Sequence, residues 1–265
     1  MTIDRWTTEE GSPWPLGVLY VPETRQYNFA LYSKHASAVR LLLYSEDDCA
    51  APMFILDLQW PINKSGRVWH CRVAESIVAK ANYYAYQVDG PDEPDGGHRF
   101  DAQKILLDPY ARAVHFPSAF SRSAACRPGA NPGRAPVGLL KPEADDFQWR
   151  AASPPRHGQD AIIYELHVRG FTKRANSGVR PDRRGTFSGV VEKIPYLKEL
   201  GVTTVELLPV FQFDPQEGNY WGYMPISFFA LHGAYGGRCA ARRSGWKLSG
   251  DQDETGHRCS SVGRA

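Results

Sequence analysis

From residue 18 to residue 90, short apolar or aromatic runs alternate with turn-forming clusters. Runs of that length with a two-residue period read as strands half-buried in an antiparallel sheet. The pattern predicts strands at 27–32, 39–44, 53–58, 67–73 and 83–88. In the last of these, Tyr84, Tyr86 and Val88 face one side of the sheet, and Tyr83, Ala85 and Gln87 the other. Asp89-Gly90 then turns the chain. From residue 118 to 155 the composition shifts to Pro, Gly, Arg, Ser and Ala with no periodicity. That stretch reads as a connector, with a domain boundary near 150–158.

The pattern then changes. Residues 161–166, Ala-Ile-Ile-Tyr-Glu-Leu, form a nearly continuous apolar run, as in a parallel strand buried on both faces. Over 186–200, Val190, Val191, Ile194, Leu197 and Leu200 recur at three- and four-residue spacing, which predicts a helix capped by Thr186. Pro195 either breaks that helix near Ile194 or sits in the first turn of a second piece. Gly201 supplies the stop. A second buried strand follows at 202–208 and ends at Pro209. Strand, helix and strand in this order predict a βα unit of a parallel sheet.

Composition changes this picture only at its edges. The chain has 265 residues, 42% hydrophobic and 23% charged, ordinary globular usage. Gly 24 and Pro 20 exceed the roughly 12% average and imply many turns and loops. The net charge of +2 gives no electrostatic case for nucleic acid or an anionic membrane as partner. Cys49, Cys71, Cys126, Cys239 and Cys259 are scattered without a C-x-x-C pair, against a disulfide framework or a zinc site. The eight histidines lack metal-ligand spacing, so neither metal nor cofactor is expected. With no apolar segment at the N-terminus and no run of about 18 apolar residues, the sequence reads as soluble and cytoplasmic.

Five motifs carry a resemblance. The stretch from Gly201 to Val210 (GVTTVELLPV), then Asn219-Tyr-Trp-Gly-Tyr223, Phe228-Phe-Ala230 and Tyr235-Gly236, resembles the α-amylase superfamily, glycoside hydrolase family thirteen. Within it the chain is similar to bacterial glycogen debranching and isoamylase-type enzymes. Tyr164-Glu-Leu-His-Val-Arg-Gly-Phe-Thr172 agrees, as does Gly185-Thr-Phe-Ser-Gly189 leading into 193–201. Upstream, Gly97-His-Arg-Phe-Asp101 with Lys104-Ile-Leu-Leu-Asp-Pro-Tyr-Ala-Arg112 resembles the junction after that group's N-terminal sandwich, a family forty-eight carbohydrate-binding module. Gly11-Ser-Pro-Trp-Pro-Leu-Gly17 resembles the group's opening.

The resemblance implies a multidomain chain. An antiparallel β-sandwich at 10–115 is followed by a linker at 116–158 and the first part of a TIM barrel at 159–236. The family's reaction is hydrolysis of α-1,6 branch linkages by an Asp nucleophile and a Glu acid about 5–5.5 Å apart. Such sites gather at the C-terminal ends of barrel strands, and a complete barrel takes about 250 residues. Residues 161–265 are too few, so the barrel is expected to be incomplete, with no catalytic residue in this chain. Residues 237–265 keep neither strand nor helix period and contain no Asn-His pair, and read as disordered or frameshifted. Gly178-Val-Arg-Pro-Asp182 matches the bare spacing around the family's nucleophile, but its polar loop argues against that role for Asp182.

What the resemblance leaves to this chain is sugar contact. It places Tyr223 under the glucose being cleaved, with Tyr220 and Trp221 beside it. Aromatic rings suit pyranose faces because sugar C–H groups bury against the ring while hydroxyls stay hydrogen-bonded. Glu206 reads as structural, Trp60 and Trp69 as sandwich core, and His167 as a satisfied residue of a buried strand. Leu231 stands where the family commonly has Pro, and Met224 where it has a polar residue, so the fine substrate is left open. The expected partner is an α-glucan, glycogen or branched maltodextrin. Three readings stay open: an inactive N-terminal portion of a debranching enzyme, a glucan-binding module without catalysis, and a portion of a branching enzyme or trehalose-releasing hydrolase.

Overall fold

A computed structural model describes residues 10–140 and 158–236. Among these, 10–140 with Phe211–Leu231 make one compact unit, and 158–210 with 232–236 a second.

The first unit is a sandwich. Its strands are β1 (Gly17–Val21), β2 (Gln26–Tyr32), β3 (Ala38–Tyr44), β4 (Phe54–Asp57), β5 (Lys64–Ser65) and β6 (Val68–Ala74), with β7 (Tyr83–Asp89) following the short helix α1 (Glu75–Val78). A two-residue-wide hairpin, β8 (Asp92–Glu93) and β9 (His98–Arg99), leads to β10 (Val114–His115), α2 (Arg122–Cys126) and β11 (Val137–Leu139). One sheet has the order β1-β2-β6-β5, the other β10-β11-β7-β3-β4, and every pairing in both is antiparallel. All five predicted strands are present within two residues of their predicted ends.

The period of two decides which side chains meet. Tyr84, Tyr86 and Val88 join Phe29, Leu41 and Trp69 in the core between the sheets. Tyr83 and Ala85 lie on the opposite face, packed with Leu42, Tyr44, Ile105 and Val137. The division predicted for 83–88 therefore holds. A second apolar layer on an outer face needs a cover, and residues 105 and 135–137 provide it.

That cover corrects the linker expected at 116–158. Its described part, 116–140, belongs to the sandwich: Gly138 and Leu139 pair with Tyr84 and Tyr83. Asn131, itself buried, exchanges hydrogen bonds with the Ile105 backbone at 2.7 and 3.2 Å. Polar, glycine-rich composition hid a strand of three residues whose partner is fifty positions away.

The second unit opens with β12 (Ile163–Leu166) and the one-turn helix α3 (Val168–Thr172). Next come α4 (Phe187–Glu192), α5 (Ile194–Glu199) and β13 (Thr204–Leu207), which lies parallel to β12 in register from Ile163↔Thr204 to Leu166↔Leu207. The Thr186 side chain caps α4 by accepting from the Gly189 N–H. Lys193 separates the two helices and Pro195 falls in the first turn of α5, where its missing N–H costs nothing. Gly201 follows with φ +84°, a conformation an L side chain resists. The expected burial differs. All four residues of β13 are exposed, as are Ile163 on β12 and Val191, Ile194 and Leu200 on the helices. A parallel sheet buries its strands only when elements cover both faces, and two strands with two short helices do not close that cover. His167 is also reassigned: it follows β12 and caps α3, accepting at Nδ1 from the Gly170 N–H at 2.9 Å. Its Nε2 lies 3.1 Å from the Tyr235 hydroxyl, so it is satisfied as expected, in a helix cap instead of a strand.

Residues 237–265, where the sequence reads as an off-pattern tail, lie outside the described residues.

A candidate aromatic sugar site on a pinned hairpin

After β13 the chain forms a hairpin, β14 (Phe211–Phe213) against β15 (Pro225–Leu231), with a bulged register. Its loop carries the three aromatic residues singled out from the sequence. Asn219 organises the loop, its side-chain oxygen accepting from the Trp221 and Gly222 N–H groups at 3.1 and 3.3 Å. Gly222, with φ +82°, lets the backbone reverse between the two rings. Tyr220, Trp221 and Tyr223 are then 53%, 61% and 55% exposed. The Trp221 and Tyr223 ring centres stand 6.2 Å apart, tilted by 49°. Large rings held open by backbone hydrogen bonds present flat apolar faces with polar edges, the surface on which a pyranose stacks.

What holds this loop lies far away along the chain. Gln216 donates to the Phe120 carbonyl at 2.8 Å and accepts from the Arg122 N–H at 2.8 Å. The Arg122 guanidinium lies 3.6 Å from Asp214 and 4.0 Å from Glu217. Further along, the Ser227 hydroxyl donates to the Ala111 carbonyl, and the rings of Tyr110 and Phe229 stack at 4.5 Å. The loop's base is thus tied to residues 110–122 of the sandwich unit across about a hundred positions of sequence.

The other candidates fall into place singly. Asp182 is an exposed residue of a 3-10 turn, paired with Arg180 at 3.1 Å, with no strand leading into it. Glu206 stands in register beside Glu165, both exposed. Trp69 is core, 2% exposed, whereas Trp60 is 74% exposed, which corrects the core role expected for it. Trp60 lies in a turn closed by the Asn63 N–H to the Gln59 carbonyl at 2.6 Å, so no alternation carries its ring inward. Burial shapes two titrating groups. It raises the Asp108 carboxyl to about 6, against hydrogen bonds from Tyr110 N–H and Tyr84 hydroxyl that favour the anion. It lowers the imidazole of His232 to about 3, with the charges of Arg169 and His167 adding to the effect. Among the described residues no group of three or more His, Cys, Asp or Glu is placed to hold a metal ion. No helix of the described residues is long and apolar enough to cross a membrane.

Comparison with known proteins defines the class. Residues 15–111 match carbohydrate-binding module 48, the isoamylase N-terminal domain, and residues 157–243 match the α-amylase catalytic domain. Isoamylase 3 of Oryza sativa subsp. japonica, a chloroplast protein, is 38% identical over 263 residues, covering 88% of this chain and 32% of its own. Isoamylase SU1 of Zea mays is 34% identical over 85% of this chain and 29% of its own. The structure of the pullulanase SAP of group B Streptococcus with maltotetraose superposes with a TM-score of 0.61 at 25% identity, over 83% of this chain and 29% of that one. The catalytic module of pneumococcal SpuA, at 23% identity and a TM-score of 0.64 over 87% of this chain and 34% of that one, shares the fold. The chain shares with isoamylase-type members of the α-amylase superfamily their N-terminal module followed by part of the α-amylase catalytic domain. It spans about a third of the length of the curated relatives it matches.

Proposed function

We propose that this chain is the N-terminal portion of a glycogen debranching enzyme, whose whole form hydrolyses α-1,6 branch linkages in glycogen catabolism. By itself it binds α-glucan, glycogen or branched maltodextrin, without cleaving it. The observation that carries this is the open Tyr220-Trp221-Tyr223 loop, tied to a unit that matches a carbohydrate-binding module. Isoamylase relatives support branch hydrolysis over branch transfer or trehalose release. The reading includes a sandwich module that runs from residue 10 through the described residues to 140, and the opening part of a barrel from residue 159 onward. It also includes a reducing compartment such as the cytoplasm, supported by Cys49, Cys71 and Cys126, which form no disulfide among the described residues. The plant relatives are chloroplast proteins. Nucleic acid and membranes are not partners in this reading, on the balanced charge.

Catalytic inactivity is part of the same proposal, and the exposure of the strand carboxylates supports it. A retaining pair needs an acid held neutral in a shielded pocket opposite a nucleophile, and the strand carboxylates Glu165 and Glu206 are exposed. Amylopectin incubated with the purified chain should release no reducing ends above a protein-free control. Release that scales with protein concentration would refute the inactivity.

A further inference from the structure

The sandwich unit holds a cavity of about 280 Å³ in which the aromatic loop has no part. Its walls are mainly apolar: Leu31 and Val88 come from one strand of each sheet, and Leu106 and Leu107 from the segment after β9. Tyr32 and Phe100 add rings, and Arg99, which is exposed, lines the cavity on its solvent side. We propose that this cavity binds a small aromatic carboxylate, with the ring between the apolar walls and the carboxylate on the Arg99 guanidinium. The site goes beyond α-glucan binding and does not depend on it.

Volume, lining and charge each narrow the ligand. An apolar cavity of roughly 150 Å³ already admits benzene, so this one takes a single ring with a substituent. The flat faces of Tyr32 and Phe100 suit another aromatic ring. A sugar fits poorly. Of the polar side chains at the cavity, Asp101 already accepts from the Gln103 and Gly129 N–H groups at 2.9 and 2.7 Å. Lys104 donates to the Ala124 carbonyl, which leaves its stem as wall. A pyranose would bring several hydroxyls to apolar walls with few groups left to match them, and an unmatched hydroxyl is costly to take out of water. An aromatic carboxylate has one polar end and needs one partner. The Arg99 side chain forms neither an ion pair nor a hydrogen bond among the described residues. Its planar fork of N–H donors matches the two oxygens of a carboxylate, and Arg99 with Lys104 outweighs the single negative charge of Asp101.

The walls stand ready before a ligand arrives. Leu106 exchanges both backbone hydrogen bonds with Tyr86 of β7, at 2.8 and 3.0 Å. The Phe100 ring lies against Gly90, where a Cβ would come to 2.8 Å, so glycine there makes room for the ring. Arg99 is carried by β9, which is paired with β8. A pocket shaped in advance keeps the ordering cost of binding low.

Saturation-transfer NMR of the full chain with benzoate tests the site, because the ring protons report contact directly. Benzoate should receive saturation, and acetate at equal ionic strength should not displace it. Benzyl alcohol, which keeps the ring without the charge, should bind about tenfold more weakly, the effect of losing a charge-assisted pair. Arg99→Gln should weaken benzoate about tenfold and leave benzyl alcohol unchanged, while Arg99→Lys recovers part of the loss. Ser33→Leu, which adds bulk to the lining, should weaken both ligands, and an unchanged melting temperature will show that the variant folds. No saturation of benzoate, or equal benzoate affinity in the wild-type chain and Arg99→Gln, would overturn the proposal. Displacement of benzoate by maltotriose would overturn it too, by making the cavity part of a glucan surface.

Discussion

Trp69 and Trp60 stand nine positions apart, one 2% and the other 74% exposed. The difference is one of register: Trp69 lies on β6 with its ring between the sheets, whereas Trp60 lies past the end of β4 in a turn. Trp69→Ala should cost about 3–5 kcal/mol of sandwich stability by leaving a cavity. Trp60→Ala should stay within about 0.5 kcal/mol. Urea unfolding followed by far-UV circular dichroism will distinguish them. Residue type alone could not tell the two apart in the sequence, because hydrophobicity is the same and only strand ends set the face. Asp108 makes the second prediction at this scale. Its folded-state carboxyl titrates near 6 because it is buried, above the ordinary Asp value of about 4. The fold therefore favours the protonated form. That contribution is full below about pH 4 and lost as pH rises through 6. Sandwich stability should fall across that window, and Asp108→Asn should flatten the dependence in melting experiments at fixed ionic strength.

Elements differ in how much of them is written locally. The βα unit at 161–208 was legible because each signal sits within a few residues: a cap at Thr186, a three-four stripe, Pro195 in a first turn, a stop at Gly201. The five sandwich strands were legible for the same reason, through alternation. The hairpin Phe211–Leu231 and β11 were not, because what fixes them lies 50 to 116 residues away and leaves no period. The aromatic triad was legible as residues, through its resemblance to a family motif. Its anchoring by Gln216 and Arg122 was not. Gln216→Ala removes two neutral hydrogen bonds, worth about 1–2 kcal/mol together. Hydrogen exchange should quicken across 214–231 while β3 and β7 keep their protection. Uniform quickening through the sandwich would contradict the hairpin's dependence on that side chain.

For the whole molecule, exposure separates the two units. The sandwich encloses Phe29, Leu41, Trp69, Tyr84 and Tyr86 at or below 2% exposure. In the second unit Ile163 is 62% exposed, Val191 61% and Leu200 53%. Uncovered apolar faces lower local stability and invite association. Limited trypsin digestion should therefore cut within 158–210 first and leave a sandwich core; equal resistance of both parts would count against this. His232 adds a pH mark to the second unit. Burial keeps its imidazole neutral down to about pH 3, so stability there is full above about 6.5 and declines as pH falls through that range. The contributions of Asp108 and His232 thus change with acid in opposite directions. The same exposure stands beside the chain's coverage of about a third of its relatives' length.

The central claim is that this chain holds α-glucan through a preformed aromatic loop, and affinity electrophoresis in glycogen tests it most directly. Retardation of the wild-type chain that Tyr223→Ala and Trp221→Ala each reduce about three- to tenfold, the worth of one stacked ring, is the predicted result. Equal mobility of the wild-type chain with and without glycogen, or retardation indifferent to both substitutions, would contradict it.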